Sequence, residues 1–239
     1  NGRNSQFIGN QAGENNAMPE QIGIGTRSNM NSSGAYNEAI GFEALMTNTN
    51  GITNQAYGYR AMRNANGGSY NTGIGAYTLY QNQGAFNVAL GTSALQQNLS
   101  GYHNVAVGYQ ALFWNINGYR NFGMGYFSLT ENVSGSYNIG LGASTLQFNI
   151  SGNRNIAIGD NTLKQLNNTN DNIAIGIQSQ EFSKGTTNVS IGNESLHLNK
   201  DGSNNSTLGY LSMYSNRYSS NNVSLGYRSM YAINAVNAT

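Results

Sequence analysis

The chain contains no cysteine and only one proline among its 239 residues. Without cysteine it has neither a disulfide framework nor a thiolate metal site, so packing and backbone hydrogen bonds must stabilise the fold. Charged residues make up only 9% of the sequence, and the formal net charge is +1. Because the 11 basic residues are also scattered along the sequence, the composition gives no electrostatic case for binding nucleic acid or an anionic membrane surface.

Long hydrophobic runs are also missing. No apolar stretch approaches the roughly 20 residues of a membrane-spanning helix, so we expect no membrane insertion. The sequence starts at Asn1 without a methionine or a signal-like segment, which is typical of a fragment or a processed product. Glycine, in contrast, is abundant, with 31 residues. Its spacing along the chain is regular.

A unit of 16 or 17 residues recurs throughout the sequence, and residues 103–112 are its clearest copy. The consensus is Asn-x-Ala-(Ile/Val/Leu)-Gly-x-x-(Ala/Ser)-Leu-x-x-Asn-x-x-Gly, and we call its first glycine the anchor. The 14 anchors are Gly9, Gly25, Gly41, Gly58, Gly75, Gly91, Gly108, Gly125, Gly142, Gly159, Gly176, Gly192, Gly209 and Gly226. Such constant spacing identifies a repeat architecture.

The length of the repeat selects the fold class. It is too short for a helical hairpin but suits one coil of a solenoid, with a strand at Asn-x-Ala-Ile-Gly and tight turns elsewhere. We therefore predict an all-β parallel β-solenoid of about 14 coils. Residues 1–30, which repeat less faithfully, are expected to form irregular first coils continuous with the regular solenoid of residues 31–239, in one domain overall. Solenoid ends normally need caps, so adjoining segments or partner chains are expected to continue the structure.

Several positions of the unit form columns with predictable roles. The apolar residue before each anchor and the Leu or Met four residues after it are expected to face the core, while the small residue two before the anchor lies outside. Gln180 interrupts the Leu column and predicts a local irregularity. The Asn–Gly pairs that close each coil are expected to be left-handed turns. A column of asparagines four before the anchors predicts an amide ladder along the solenoid axis: Asn87, Asn104, Asn121, Asn138, Asn155 and Asn172.

The unit at residues 104–112 resembles repeats of phage tail fibre proteins and bacterial surface adhesins. It is also similar to the Asn-Ser-Val-Ala-Ile-Gly head repeats of YadA-type trimeric autotransporter adhesins, most closely at residues 155–159, 172–176 and 188–192. The resemblance covers essentially the whole chain. It implies a left-handed parallel β-roll, commonly a homotrimer, that acts outside the cell as a fibre or adhesive head. The adhesin repeat is shorter than 17 residues and lacks the Ala-Leu-x-x-Asn segment.

No catalytic, metal or cofactor site is expected. His103 and His197 are more than five coils apart, roughly 25 Å at one strand spacing per coil. The acidic residues occupy different coil positions, so no pair of carboxylates is indicated. The Gly-x-Gly segments are the small-residue column relaxed to glycine and are not nucleotide loops, because no helix signal follows.

Exposed aromatic residues are the candidate binding residues. Two columns flank the strand segment, and a bulky pair, Phe113 and Trp114, lies apart from them. The candidates are Tyr59, Tyr109, Tyr126, Tyr210 and Tyr227 directly after anchors, Tyr36, Tyr70 and Tyr137 five before anchors, and Trp114. Such rings could stack on cell-surface carbohydrate or dock a protein receptor; alternatively, they pack between chains of a trimer or cover turns.

The leading hypothesis is a non-enzymatic structural and adhesive fibre segment, part of a virion tail fibre or a bacterial cell surface. A self-assembling extracellular filament subunit is the alternative. Ice binding is less favoured, because it needs a flat threonine array and the threonines here occupy no consistent column. A glycan-degrading enzyme is the remaining hypothesis.

Overall fold

The computed structural model describes residues 4–16 and 18–233. The predicted fold class is confirmed: the protein is all-β, with no helix in the described part of the chain, and forms a parallel β-solenoid of about 13 turns. Two compact units divide the chain, Asn1–Arg120 and Asn121–Thr239. The assignment to a single domain with irregular first coils stays a prediction.

In the first unit, seven three-residue strands form a parallel sheet in sequential order, and a two-stranded sheet lies on another side of the coils. The main strands are β1 (Gln6–Ile8), β2 (Ile22–Ile24), β4 (Glu38–Ile40), β6 (Gln55–Tyr57), β7 (Thr72–Ile74), β8 (Val88–Leu90) and β9 (Val105–Val107). The second sheet pairs β3 (Asn31–Ser32) with β5 (Thr47–Asn48).

The second unit repeats this arrangement. Its main strands are β10 (Phe122–Met124), β11 (Ile139–Leu141), β12 (Ile156–Ile158), β13 (Ile173–Ile175), β14 (Val189–Ile191), β15 (Ser206–Leu208) and β17 (Val223–Leu225), while β16 (Ser215–Asn216) pairs with β18 (Ala232–Ile233). Each main strand pairs with the equivalent residues of the next coil, as in Ile139 with Ile156 and Ile156 with Ile173. Equivalent positions of the repeat therefore stack in columns.

The core is narrow and only partly as predicted. The Leu column four after the anchor is fully buried, from Leu45 to Met213. The column directly before the anchor, however, was expected to face the core, and this prediction is wrong, because Ile40, Ile74 and Met124 are exposed. Alternation along each strand turns the small residue two before the anchor inward instead.

Lack of space explains this choice of side chain. A Cβ built on Gly73, in the small-residue column, would lie 3.1 Å from the Cε atom of Met62 and 3.5 Å from the Cδ1 atom of Leu79. The Leu column thus fills the interior and leaves room only for a small residue opposite: glycine, alanine, serine or, at Thr207, threonine. The bulky residue before the anchor must point outward.

The left-handed backbone angles of each coil belong to residues other than those expected. In the clearest copy of the repeat, the left-handed backbone positions are His103 (φ 56), Gln110 (φ 53) and Leu112 (φ 52). Asn98 and Gly101 do not adopt left-handed angles, so that part of the prediction is wrong, although the chain does bend between them at residues 99 and 100. Gly101 is required for another reason: a Cβ there would collide with the Oδ1 atom of Asn98 and the Gly118 carbonyl oxygen.

The coil containing Gln180 is regular in its backbone, contrary to the predicted irregularity. Gln180 is fully buried, has the φ of 51° typical of its column, and its N–H donates to the Ser195 carbonyl as the leucines do to their counterparts. The substitution changes the chemistry of the core at this coil and leaves the turn unchanged.

Candidate functional site

The most unusual surface of the second unit is the outside of its main sheet, which we call the outer strand face. It consists of the residues one and three before each anchor in β10 to β14. They are Phe122, Met124, Ile139, Leu141, Ile156, Ile158, Ile173, Ile175, Val189 and Ile191. All ten are apolar, and all are exposed or half-exposed. A sheet with one face in water normally carries polar residues there, so this face has the composition of a covered surface.

The apolar pattern is narrower in the first unit. There the residue three before the anchor is polar in β4, β6 and β7, at Glu38, Gln55 and Thr72. The column directly before the anchor remains apolar, with Ile40 and Ile74 exposed. The first unit therefore presents one apolar column over these coils, and the second unit presents two.

Aromatic side chains line the margins of the main sheet. On one margin of the first unit, Tyr59 stacks on Phe42 with ring centroids 5.4 Å apart. On the other, Tyr70, Phe86 and His103 form a continuous stack with centroids 5.0 and 4.9 Å apart. Stacking follows directly from the register of the coils, because residues at one repeat position lie one strand spacing apart.

The remaining aromatic candidates are all exposed but do not form one cluster. Tyr210 and Tyr227 stack at 5.8 Å in the second unit. Trp114 contacts Phe113 edge-to-face at 5.0 Å and lies six residues after its anchor, away from the two aromatic columns. The exposed candidates on the columns include Tyr36, Tyr109, Tyr126 and Tyr137. Trp114 is thus separate from the surface that the tyrosines border.

The asparagines four before the anchors lie buried in a ladder within each unit. In the second unit, the Asn155 N–H and Nδ2 both donate to the Oδ1 atom of Asn138, at 3.0 and 3.2 Å, and the Nδ2 atom also donates to the Thr169 carbonyl. In the first unit, Asn104 donates in the same way to Asn87. These amides are occupied by the fold, and none points toward a ligand.

A second buried amide column was not anticipated. Asn98 and Asn115, seven after their anchors, are fully buried, and the Asn115 Nδ2 donates to the Asn98 Oδ1 at 2.8 Å and to the Gly118 carbonyl at 2.8 Å. At one coil the column contains Leu166 instead, and the Oδ1 atom of Asn149 in the preceding coil has no hydrogen-bond partner. The regular spacing of these asparagines in the sequence could have predicted a second amide column, but it was interpreted only as a turn.

Three of the 11 basic residues converge on one carboxylate in space, which their scattered positions in the sequence did not indicate. Glu43 is buried and accepts from Arg27, Arg60 and Arg63 at 3.2, 2.9 and 2.7 Å. Burial raises the pKa of Glu43, but the arginines outweigh it and hold the pKa below its usual range. The carboxylate therefore stabilises the fold above its ordinary pKa, and this contribution is lost as the pH falls through the lowered value.

A second polar group lies inside the second unit. His197 is stacked on Tyr214 at 5.1 Å, its Nδ1 atom is 3.0 Å from the Gln178 carbonyl oxygen and 3.8 Å from a carboxylate oxygen of Glu181. Glu181 and His197 both lie five after their anchors, a signal that was missed. Both are buried, so the pair supports the coil and offers no open catalytic centre.

Within residues 4–16 and 18–233, no group of three or more His, Asp or Glu side chains is placed to hold a metal ion. The same residues contain no helix with the length and apolarity needed to cross a membrane.

Comparison of the chain with models of known protein families, with curated proteins and with solved structures finds no significant match. The function is therefore inferred from the surfaces of the solenoid itself.

Proposed function

We propose that this protein is a non-enzymatic structural and adhesive fibre segment, in which copies of the chain associate and present a binding surface outside the cell. The observation that carries the proposal is the outer strand face, a continuous apolar surface on regularly spaced strands. Removal of apolar surface from water is favourable by about 25 cal/mol per Å² before the entropic cost of association, so a face of ten apolar side chains favours a covered state.

A second copy of the chain is the occupant that fits this face best. The apolar columns repeat at the spacing of the coils, about 4.8 Å. An identical solenoid has the same spacing and the same two columns, so its side chains can interdigitate along the whole face. Within the second unit, the exposed residues Tyr126 and Tyr137 border this face, and tyrosine is enriched in protein interfaces. We propose a homotrimer, as the resemblance to adhesin and tail fibre repeats implies.

The oligomeric state is tested by light scattering with matched variants. We expect a mass of three chains for the wild type and of one chain for the double variant Ile158→Glu/Ile175→Glu, because two carboxylates cannot be buried in an apolar interface. Ile150→Glu is the control: Ile150 is equally exposed but lies off the outer strand face. A monomeric wild type, or a folded double variant that keeps the wild-type mass, would contradict the proposal.

The adhesive role is supported by the exposed aromatic margins, and its test is a binding screen. Immobilised glycans and extracellular matrix proteins are probed with the wild type and with Tyr70→Ala, which removes one ring from the Tyr70–Phe86–His103 stack. We expect a bound ligand and weaker binding by the variant. Long polymers in electron micrographs would favour the filament alternative instead, and shortening of an incubated polysaccharide would favour an enzyme.

A further inference from the structure

The second unit contains a basic cavity that lies on a different side of the coils from the outer strand face. Its volume is about 310 Å³, and it is lined by Phe182, Lys184, Leu198, Lys200, Arg217 and Tyr218. We infer that this cavity binds an acidic sugar, a saccharide unit that carries a carboxylate or a sulfate. The inference deepens the proposed adhesive function and rests on it for the source of the ligand.

The three cations come together because they share one position of the repeat. Lys184, Lys200 and Arg217 each lie eight residues after an anchor, in three consecutive coils. Backbone hydrogen bonds fix these coils side by side: the Lys184 N–H donates to the Asn199 carbonyl at 3.2 Å, and the Asp201 N–H donates to the Arg217 carbonyl at 2.9 Å. The backbone positions that carry the three charges are therefore about one strand spacing apart, and all three side chains line the same cavity.

Within the described part of the chain, these charges have no acidic partner. Among the described residues, no carboxylate lies within 4.0 Å of any of the three cationic groups. The acidic residues nearest in sequence do not pair with these cations. Asp201, which follows Lys200, forms no ion pair with them, and Glu181 is turned inward toward His197. In earlier coils of the second unit, the same position holds the uncharged residues Val133, Ile150 and Asn167. A column of three like charges costs energy by mutual repulsion, which a bound anion relieves.

The uncharged lining favours a sugar over other anions. The rings of Phe182 and Tyr218 are exposed, and the side chain of Leu198, which also lines the cavity, is half-exposed. Such rings pack against the apolar face of a pyranose, as the amphipathic rings of binding surfaces do. The Lys200 Nζ atom lies 5.8 Å from the Tyr218 ring centroid, so ring and charge face the same space. The volume is near the lower end for small-molecule sites.

A nucleic acid fits less well. Binding to a nucleic-acid backbone needs a basic track that contacts many phosphates. Here the positive column spans three coils, and the net charge of the chain is only +1. The short column matches one or two anionic groups of an oligosaccharide.

The test is isothermal titration calorimetry with chondroitin tetrasaccharide, its sulfated form and neutral, fully N-acetylated chitotetraose. We expect binding of one or both acidic sugars, weakening as salt rises, and none of the neutral sugar. Binding of both acidic sugars means that the carboxylate suffices; binding of the sulfated form alone means that the sulfate is required. Equal binding of chitotetraose, no binding of either acidic sugar, or equal binding of a single-stranded DNA tetranucleotide would each overturn the inference.

Variants assign the binding to this cavity. Lys200→Gln is expected to lower affinity about tenfold, because one charge-assisted hydrogen bond to the anionic group is lost. Tyr218→Ala is expected to weaken sugar binding while leaving its salt dependence unchanged. Lys164→Gln removes the same charge elsewhere in the second unit and should change affinity less than twofold. Unchanged affinity in Lys200→Gln would refute the site.

The outcome separates this inference from the proposed assembly. Ile158→Glu/Ile175→Glu alters the outer strand face but not the cavity, so it should bind the acidic sugar as a monomer with the wild-type affinity per chain. If the wild type is a monomer that binds the acidic sugar, the cavity inference holds and the proposed assembly is wrong. If it is a trimer that does not bind the sugar, the assembly holds and the cavity inference is wrong.

Discussion

At the scale of single residues, the buried amide of Asn155 shows how strictly one position is specified. Its Nδ2 faces two acceptors, the Asn138 Oδ1 and the Thr169 carbonyl, and its Oδ1 accepts from the N–H and Nδ2 of Asn172. An aspartate has the same shape and keeps the acceptor, but it loses both donated bonds. It would place a buried negative charge against two oxygens.

We therefore expect Asn155→Asp to lower the free energy of unfolding by roughly 3–5 kcal/mol at neutral pH. Burial among acceptors raises the pKa of the new carboxyl, so its neutral form, which can donate, is favoured as the pH falls. The deficit relative to the wild type should thus shrink from pH 8 to pH 5, measured by urea denaturation. Asn168→Asp is the control, because Asn168 is exposed and only accepts from the Ser151 hydroxyl. A deficit that grows on acidification would contradict this expectation.

Two glycines allow the cost of an unfavourable backbone angle to be distinguished from the cost of a steric clash with the next coil. Gly58 has φ +139°, and a Cβ there would lie 2.7 Å from the Gly75 carbonyl carbon; Gly67 has φ +91° with no heavy atom within 4 Å of such a Cβ. Gly67→Ala should cost about 1–3 kcal/mol from the backbone angle alone. Gly58→Ala should cost more, because the neighbouring coil must also move. Equal losses in thermal or chemical unfolding would show that close stacking of the anchors is not what requires glycine.

At the scale of the coil, Gln180 is the one polar residue in the Leu column between Leu45 and Met213. Its Nε2 donates to the Ile173 carbonyl at 3.0 Å, while its Oε1 is buried without a partner. Gln180→Leu should stabilise the protein by about 1 kcal/mol, because the orphaned acceptor is removed and the Leu column is completed. Leu163→Gln, the reverse change in the preceding coil, should destabilise by about 2–5 kcal/mol. A loss of stability in Gln180→Leu would indicate a role for its amide that the core does not explain.

How far the sequence specifies the coil depends on which level is considered. The period alone predicts the solenoid, its in-register strands and the stacking of equal residues. It does not decide which side of a three-residue strand faces inward, because both Ala106 and Val107 are apolar. Hydrophobicity favours the bulkier valine for the core, whereas Leu112 already fills that space, so the alanine is buried. Which residue is buried is therefore decided by the space available inside the whole coil, and this cannot be predicted from the pattern of the strand alone.

The charged clusters were within reach of the sequence. Arg27, Glu43 and Arg60 all lie two residues after an anchor, so the repeat itself places them in one column. Lys184, Lys200 and Arg217 are aligned in the same way. A count of charges along the chain treats them as scattered, and only the comparison of equal repeat positions brings them together.

At the scale of the whole molecule, stability is a sum over coils and their neighbours. Deletion of residues 139–155, one complete coil of 17 residues, joins Asn138 to Ile156 and preserves every column. We expect the shortened chain to fold, with an unchanged β circular dichroism spectrum per residue and a smaller dependence of unfolding free energy on urea. Deletion of residues 139–147 shifts the later columns and should prevent folding. If both deletions behave alike, the columns do not determine the fold.

The amide ladder gives this repetitive molecule a direction. Within each unit, each asparagine of the ladder after the first donates to the one before it, so loss of one side chain affects its two neighbours unequally. In Asn172→Ala, the Asn155 Oδ1 still accepts from the N–H of residue 172, whereas the buried N–H of Asn188 loses its acceptor, the Asn172 Oδ1. Amide hydrogen exchange should therefore accelerate at Asn188 and hardly change at Asn155. Loss of one amide from the ladder therefore destabilises the coil on its carboxyl-terminal side more than the coil on its amino-terminal side.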